Sequence, residues 1–371
     1  MSKPRTQHHS KQLMLLLSRL LLPSEPTNPS ASVGSAELRR QLLALSRDDF
    51  DELVALASSN HVIVRGLTIC RDLLRGEHNA PQSEWVENAL SAEQARIENA
   101  VTRLHEICSA LTAQGYNVAV IKSFDHWPDL GSDLDLYTDA DPREICAFMK
   151  TRFNAEIAPR SWGDRLAAKW NFILPGLPEL VEIHMGRLGQ TGEQVTIAAS
   201  LLDRTQWITA CGLSFRVPSA ADRLMISTLQ RMYRHFYFRL CDIVDSTTLA
   251  ERGGIDYDKL RALASVAGIW EGVATYLVIV SDYVEKYRGS GLTLPRFVLE
   301  SARFGGERIY YERSFLRVPI LPQSARLYGS QFAGVLGKGE LYNTARLSLL
   351  PWLATAAIIG QKLTGSDKGI W

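Results

Sequence analysis

Residues 118–141 read VAVIKSFDHWPDLGSDLDLYTDAD and bring strand-forming sequence into a chain that is otherwise mostly helical. The run VAVIK is β-rich, and LDLYT at 134–138 predicts a second strand. Alternate side chains of a strand share a face, so Asp133 and Asp135 should point the same way. Two carboxylates this close repel each other unless a cation lies between them, and hard oxygen ligands suit Mg²⁺.

A third carboxylate lies on a later predicted strand, LVEIHM at 180–185, where Glu182 and His184 share one face. If this strand lies beside the first, Glu182 converges with Asp133 and Asp135. Three carboxylates can hold two Mg²⁺ (or Mn²⁺) ions, an arrangement suited to in-line attack on the α-phosphate of a nucleotide. A solvated surface turn is the alternative interpretation of the two aspartates.

The remaining sequence predicts helices on both sides of a small sheet. WNFIL at 170–174 is a further strand, which PGLPE joins to the strand at 180–185 as a hairpin. The expected fold class is α+β, a small mixed β-sheet flanked by helical regions. We expect five regions: a basic start and Pro/Ser-rich linker at 1–35, an N-terminal helical region at 36–91, a core at 92–215, a helical domain at 216–290 and a C-terminal extension of unassigned role at 291–371.

Finer expectations concern helix ends and polar loops. A long helix is predicted at 92–114, and Asp48-Asp49 is predicted to cap the helix that follows it. The polar residues before the paired aspartates, Asp125, His126 and Asp129, are interpreted as solvated.

Composition limits the class of protein. With 371 residues, 46% of them hydrophobic, the chain is not generally disordered. A formal net charge of +1 gives no bulk electrostatic reason to bind nucleic acid or an acidic membrane. Five cysteines without a CxxC pair indicate reduced thiols and a cytoplasmic protein, and no apolar run is long enough to predict a membrane span.

Three stretches resemble the polymerase-beta-type nucleotidyltransferase superfamily, most closely its bacterial group described as uncharacterised nucleotidyltransferases. They are the helical lead-in at 49–74, the segment 118–141 with LVEIHMGRL after it, and VPSAADRLMISTLQRMYRHFYFRLCDIVD at 217–245. The chain departs from that group at one point, since Lys122-Ser123 stands where the group usually has Lys-Gly.

The resemblance implies a nucleotidyltransferase core in which three carboxylates, Asp133, Asp135 and Glu182, are catalytic ligands of Mg²⁺ or Mn²⁺. It also implies a set of nucleotide-contacting residues, namely Lys122, Ser123, Ser132, His184, His235 and Arg239. The spacing of His235, Arg239 and Asp242 predicts that they share one face of a helix, and the resemblance suggests that this face closes over the nucleotide. An exposed, salt-bridged helix is the alternative interpretation.

The implied reaction moves a nucleoside monophosphate from an NTP, with ATP as the expected donor, to a hydroxyl of an acceptor. The acceptor is left open as a small molecule, a peptide, a protein or an RNA end, and the oligomeric state is not predicted. One alternative is an inactive nucleotide-binding or scaffolding protein of the same fold. A glycosyltransferase that uses D-x-D is less favoured, because helical sequence precedes the motif.

Overall fold

The computed structural model describes residues 7–23, 30–77, 79–353, 355–356 and 359. It has the predicted mixed α+β architecture, in which a small mixed sheet is flanked by helices. The helices before the sheet are α1 (Gln7–Leu21), α2 (Ser30–Leu43), α3 (Arg47–Ser59), α4 (Ile63–Leu73) and α5 (Pro81–Ala113).

The central sheet has five strands in the order β1-β2-β5-β4-β3. Strands β2 and β5 are parallel neighbours, and the other pairs are antiparallel, including the predicted β4–β5 hairpin. The strands are β1 (Val118–Val120), β2 (Asp133–Thr138), β3 (Glu156–Ile157), β4 (Lys169–Ile173) and β5 (Leu180–Met185).

Alternation along β2 and β5 separates a polar face from an apolar one. Leu134 and Leu136 on β2, and Val181 and Ile183 on β5, are fully buried. Burying side chains of this size contributes roughly 1.5–3 kcal/mol each. The register of the two strands is therefore fixed, because a slip by one residue would move these side chains to the polar face.

The helices after β2 begin with α6 (Pro142–Phe153), which Asp141 caps and in which Pro142 occupies the first turn. The further helices are α7 (Trp162–Leu166), α8 (Val195–Leu201), α9 (Ala220–Gln230), α10 (Leu240–Glu251), α11 (Tyr257–Val266), α12 (Trp270–Arg288), α13 (Arg296–Ser301), α14 (Ala325–Gly337) and α15 (Leu341–Leu347). Two smaller sheets were not predicted: a hairpin of β6 (Thr205–Ala210) and β7 (Leu213–Pro218), and a three-stranded sheet of β8 (Tyr237–Phe238), β9 (Tyr310–Glu312) and β10 (Phe315–Arg317).

Several predicted boundaries differ from the structure. Part of the region expected as a basic start and linker at 1–35 is helical, since α1 covers Gln7–Leu21 and α2 begins at Ser30, while residues 1–6 and 24–29 lie outside the described ranges. Helix α5 begins eleven residues earlier than predicted, because Pro81 is suited to a first helical turn. The cap of α3 is Ser46, whose hydroxyl accepts from the Asp49 amide while the Asp49 carboxylate returns to the Ser46 backbone.

One hydrophobic core runs through most of the chain. It extends from Leu13 in α1 to Leu327 in α14, and a smaller cluster joins Val335 to Leu347 and Leu350. The five predicted regions thus share buried contacts, and their boundaries stay predictions. Among the helices that are described, none combines the length and the apolar character needed to cross a membrane.

Candidate functional site

Acidic side chains converge because β2 and β5 are parallel neighbours. In their register Asp135 pairs with Glu182, so both side chains leave the sheet on the same face. Both are buried, and Asp133 lies partly buried two residues earlier on that face. His184 Nε2 lies 2.8 Å from Glu182 Oε1 and 3.6 Å from Asp135 Oδ1. The structure thus places the predicted carboxylates and His184 together, and we call these four residues the acidic wall.

Lys122 and Ser123 form a strained turn at the end of β1. Lys122 has φ 59° and ψ −52°, and the Ser123 amide donates to the Ile121 carbonyl over 2.6 Å, which makes a γ-turn of the rare positive-φ kind. Ser123 Oγ accepts from the Asp135 amide at 2.8 Å and donates to the Asp133 carbonyl at 3.4 Å. These bonds hold the turn, which a non-glycine residue rarely adopts, against the start of β2.

Two lysines neutralise the acidic wall. The Lys122 ammonium contacts Asp135 Oδ1 and lies 3.1 Å from Glu182 Oε1 and 3.2 Å from His184 Nε2. The Lys169 ammonium lies 2.9 Å from Glu182 Oε2. Sequence reasoning missed Lys169, although it stands at the start of a hairpin strand whose pairing with β5 places it beside His184. Each oxygen of Glu182 therefore faces a cation.

Burial and charge set the protonation of these groups. Burial, together with the charges of Asp135 and Glu182, raises the pKa of Asp133 to about 6. Burial also favours a higher pKa for Glu182, but the ammonium groups of Lys122 and Lys169 outweigh it and hold that pKa well below its usual range. The carboxylates of Asp135 and Glu182 in turn raise the pKa of Lys122, although its burial favours a lower pKa. Near neutral pH, Glu182 and Lys122 are therefore charged.

A cavity of about 200 Å³ borders the acidic wall, and much of its remaining lining is basic. Of the predicted site residues, His184 alone does not line it, whereas Ser132, Lys122 and the three carboxylates do. Arg231 and Arg234 line the cavity as well. We use the name basic wall for the arginines and the histidine that residues 231–239 contribute to this lining: Arg231, Arg234, His235 and Arg239.

The basic wall is not one face of a helix, so the predicted spacing argument for His235, Arg239 and Asp242 is wrong. Helix α9 ends at Gln230, and a π-helical turn follows that ends at His235. Phe236 then adopts a left-handed conformation with φ 54°, a short strand follows, and Arg239 stands at the N-cap of α10. His235 and Arg239 nevertheless reach the same cavity.

Asp242 supports the basic wall from behind. Its Oδ2 accepts from the Arg239 amide at 2.7 Å and lies 2.8 Å from Arg231 Nε. Both Arg231 and Asp242 are buried. Arg234, in contrast, has no carboxylate partner in the described part of the chain, so its charge is available to a ligand.

The segment between β1 and β2 is buried and paired, contrary to the prediction that Asp125, His126 and Asp129 are solvated. Arg65 Nε lies 2.6 Å from Asp129 Oδ2, and Arg65 Nη1 lies 2.6 Å from Asp245 Oδ1. Arg65 belongs to α4 and Asp245 to α10. This ion-pair network therefore fastens the segment that precedes the paired aspartates to one helix that comes before the sheet in the sequence and to one that follows it.

The acidic wall fits a hard divalent cation. Asp135, Glu182 and His184 each offer one ligand atom, and these atoms lie within 4.8 Å of one another. The Lys122 ammonium occupies the space among them, so positive charge is already favoured there. Apart from its contact with the Lys122 ammonium, Asp135 Oδ1 has no hydrogen-bond partner in the described ranges. The carboxylate oxygens suit Mg²⁺ or Mn²⁺, whereas the imidazole of His184 is a ligand more typical of other transition metals.

A larger cavity of about 680 Å³ lies elsewhere, between α1, α12 and β9. Its lining includes Tyr283, Tyr287, Tyr310 and Tyr311. Its lining also holds two lysines and three carboxylates (Lys11, Lys286, Asp282, Glu285 and Glu307), but none of the described residues that line it is an arginine, and its carboxylates do not come from two paired strands. Chemistry rather than volume therefore identifies the candidate site.

No protein-family model matches the chain, and no curated protein matches it. The family resemblance therefore stays a prediction, and the geometry of the two walls is the observation that bears on function.

Proposed function

We propose that the chain is a nucleotidyltransferase that depends on a divalent cation. It would transfer a nucleoside monophosphate from an NTP to a hydroxyl of an acceptor and release pyrophosphate. The observation that carries the proposal is the parallel pairing of Asp135 with Glu182, which gathers three carboxylates against a cavity partly lined by arginines. A polyphosphate carries negative charge and needs cations, and the two walls together supply positions for both.

Asp133, Asp135 and Glu182 would hold Mg²⁺ or Mn²⁺ in this proposal. When bound, the cation neutralises phosphate charge and favours ionisation of the acceptor hydroxyl. Cation binding must displace the Lys122 ammonium from Asp135, because that ammonium occupies the same space. The freed Lys122 remains within the cavity lining and can pair with a phosphate oxygen.

Arg234 and Arg239 would orient the phosphates from the basic wall. Guanidinium groups bind phosphate oxygens in pairs of parallel hydrogen bonds, which fixes orientation as well as charge. Burial and the neighbouring Arg234 hold the pKa of His235 well below its usual range. His235 is therefore a neutral imidazole near pH 7, able to donate or accept one hydrogen bond.

The reaction balances without an oxidant or a reductant. The acceptor oxygen forms a bond to the α-phosphorus, and the bond from that phosphorus to the bridging oxygen breaks. Pyrophosphate leaves with the electron pair of the broken bond, and the hydroxyl proton passes to a base or to water. In-line geometry then depends on how the two walls hold the triphosphate.

The proposal is tested by calorimetry and thermal shift with Mg²⁺ and each NTP. We expect one NTP to stabilise the wild type only when the divalent cation is present. The double variant Asp133→Asn/Asp135→Asn should lose this effect, because each substitution removes a charge that holds the cation. Labelled NTP is then incubated with candidate acceptors, and pyrophosphate release is measured.

Asp139→Asn is the matched control, because Asp139 is exposed just beyond β2. It should bind NTP like the wild type. Equal cation-dependent binding by the wild type and the double variant would contradict the assignment of the acidic wall.

A second candidate function is nucleotide binding without catalysis, in a scaffolding protein of the same fold. The observation that favours it is the pair of lysines, since Lys122 and Lys169 already neutralise Glu182 and Asp135. This candidate predicts NTP binding that is independent of divalent cations, with no pyrophosphate released for any acceptor. Cation-dependent binding with pyrophosphate release would exclude it.

A further inference from the structure

We propose that His61, His126 and Cys241 form a second metal site that takes Zn²⁺ or a similar borderline-soft cation. Each of the three offers one ligand atom, and these atoms lie within 4.8 Å of one another. The ligands come from the turn between α3 and α4, from the segment after β1 and from α10. This site is distinct from the acidic wall and does not depend on the proposed function.

The orientation of His126 is that of a metal ligand. Its Nδ1 lies 2.6 Å from Asp245 Oδ2, and its Nε2 lies 3.8 Å from Cys241 Sγ. A carboxylate on one ring nitrogen fixes the imidazole and leaves the other nitrogen to face the metal, as is usual for histidine ligands. Arg65 holds Asp245 in place through its own contact of 2.6 Å.

His61 lies beside His126 and has an unfavourable backbone conformation. Its φ is 51°, which non-glycine residues rarely adopt. The rings of His61 and His126 meet edge to face with centroids 5.2 Å apart. A side chain at Gly131 would come within 2.9 Å of the His61 ring, so this glycine makes room for it. Arg239 Nη1 lies 3.4 Å from His61 Nδ1, so a cation bound at that nitrogen would displace this contact.

The ligand set and its surroundings select the class of cation. Two imidazoles and one thiolate suit Zn²⁺ better than Mg²⁺, which prefers oxygen. Cys241 is buried, whereas His61 and His126 line the cavity of the candidate site. The fourth position would therefore open toward that cavity, as in zinc sites that bind water or substrate. Binding requires the Cys241 thiol to release its proton to solvent.

The test is a titration of Co²⁺ into the full-length protein, reduced and freed of metal with a chelator. Thiolate ligation of Co²⁺ gives a charge-transfer absorption band that the acidic wall cannot produce, since it contains no sulfur. We expect one equivalent of Co²⁺ to generate this band and Zn²⁺ to abolish it. Cys241→Ser should lose the band, and Asp245→Asn should weaken binding by about 10–100-fold.

His61→Asn is a second variant that should fold even if Cys241→Ser does not. His61 is partly exposed, and its replacement leaves the buried pair of His126 and Asp245 intact. It should retain the fold and weaken Co²⁺ binding by at least about tenfold, the usual order for a lost ligand or its support. Cys146→Ser, in α6, is the matched control and should keep the band. A titration without a thiolate band, or a band and affinity unchanged in both Cys241→Ser and His61→Asn, would overturn the proposal.

Discussion

Asp133 destabilises the folded chain when it is ionised. Its pKa of about 6 lies above the ordinary value of 3.8, so the folded state holds the proton more tightly than the unfolded state does. The contribution of Asp133 to stability is therefore fully present below about pH 4 and is lost as the pH rises through 6. Without divalent cations, Asp133→Asn should raise the free energy of unfolding at pH 7 by about 1–3 kcal/mol.

Urea unfolding of the wild type and Asp133→Asn at several pH values measures this difference. The gain should shrink toward zero at pH 4, where wild-type Asp133 is protonated as well. Asp139→Asn, at an exposed position, should follow the wild type at every pH. A gain of equal size at pH 4 and pH 7 would contradict the raised pKa.

Lys122 combines a functional charge with backbone strain, and two substitutions separate them. Lys122→Ala and Lys122→Gly both remove the ammonium, but only glycine adopts φ 59° without steric cost. We expect Lys122→Gly to be more stable than Lys122→Ala by about 1 kcal/mol. Thermal or urea unfolding measures the difference, and an alanine variant at least as stable as the glycine variant would show that the turn is unstrained.

At the scale of elements, the π-helical turn contains two arginines that have different roles. Arg231 is buried against Asp242, so Arg231→Ala would leave a buried carboxylate unpaired and should cost about 3–5 kcal/mol. Arg234 has no such partner among the described residues, and Arg234→Ala should leave stability within about 0.5 kcal/mol. Under the proposed function, Arg234→Ala should weaken NTP binding by about tenfold.

Urea unfolding and calorimetry on the same two variants check this division. An Arg234→Ala variant that loses stability but binds NTP normally would assign Arg234 to the fold instead of the ligand.

The strands and the hairpin that depend on residues close together in the sequence were predictable. Alternation placed Asp133 with Asp135 and Glu182 with His184, and PGLPE identified the β4–β5 hairpin. The break after α9 was not predictable in this way, because residues 231–242 keep a helical spacing of polar groups. The break is stabilised by pairing of β8 with β10, where Phe238 lies opposite Leu316. A contact so distant in sequence leaves no trace in local periodicity.

The same limit applies to the site. Its predicted residues share short motifs, whereas the supporting ion pairs join distant parts of the chain. Arg65 pairs with Asp129 and Asp245, which lie 64 and 180 residues away. A charged residue looks solvated when only its neighbours in sequence are known, which is why Asp129 was predicted to be exposed although it is fully buried.

At the scale of the whole molecule, α1 belongs to the core although it falls in the region predicted as a basic start and linker. Leu13, Leu17 and Leu20 are buried in the cluster that continues into the sheet and α12. Ser18 Oγ also hydrogen-bonds the Tyr283 hydroxyl of α12 at 2.8 Å. The N-terminal helix therefore ties the helices before the sheet to those after it.

Replacing one buried leucine of α1 should consequently weaken the entire fold. Leu17→Ala should cost about 2–5 kcal/mol, because it removes a side chain that is 1% exposed and leaves a cavity. Leu15→Ala is the matched control: Leu15 lies on the same helix but is 36% exposed, so its loss should cost well below 1 kcal/mol. Urea unfolding followed by both circular dichroism and tryptophan fluorescence should show one transition that shifts as a unit in Leu17→Ala. If the helix instead melted in a separate early transition while the remaining signal kept its midpoint, α1 would be an appendage of the core, and its burial would not stabilise the sheet that carries the candidate site.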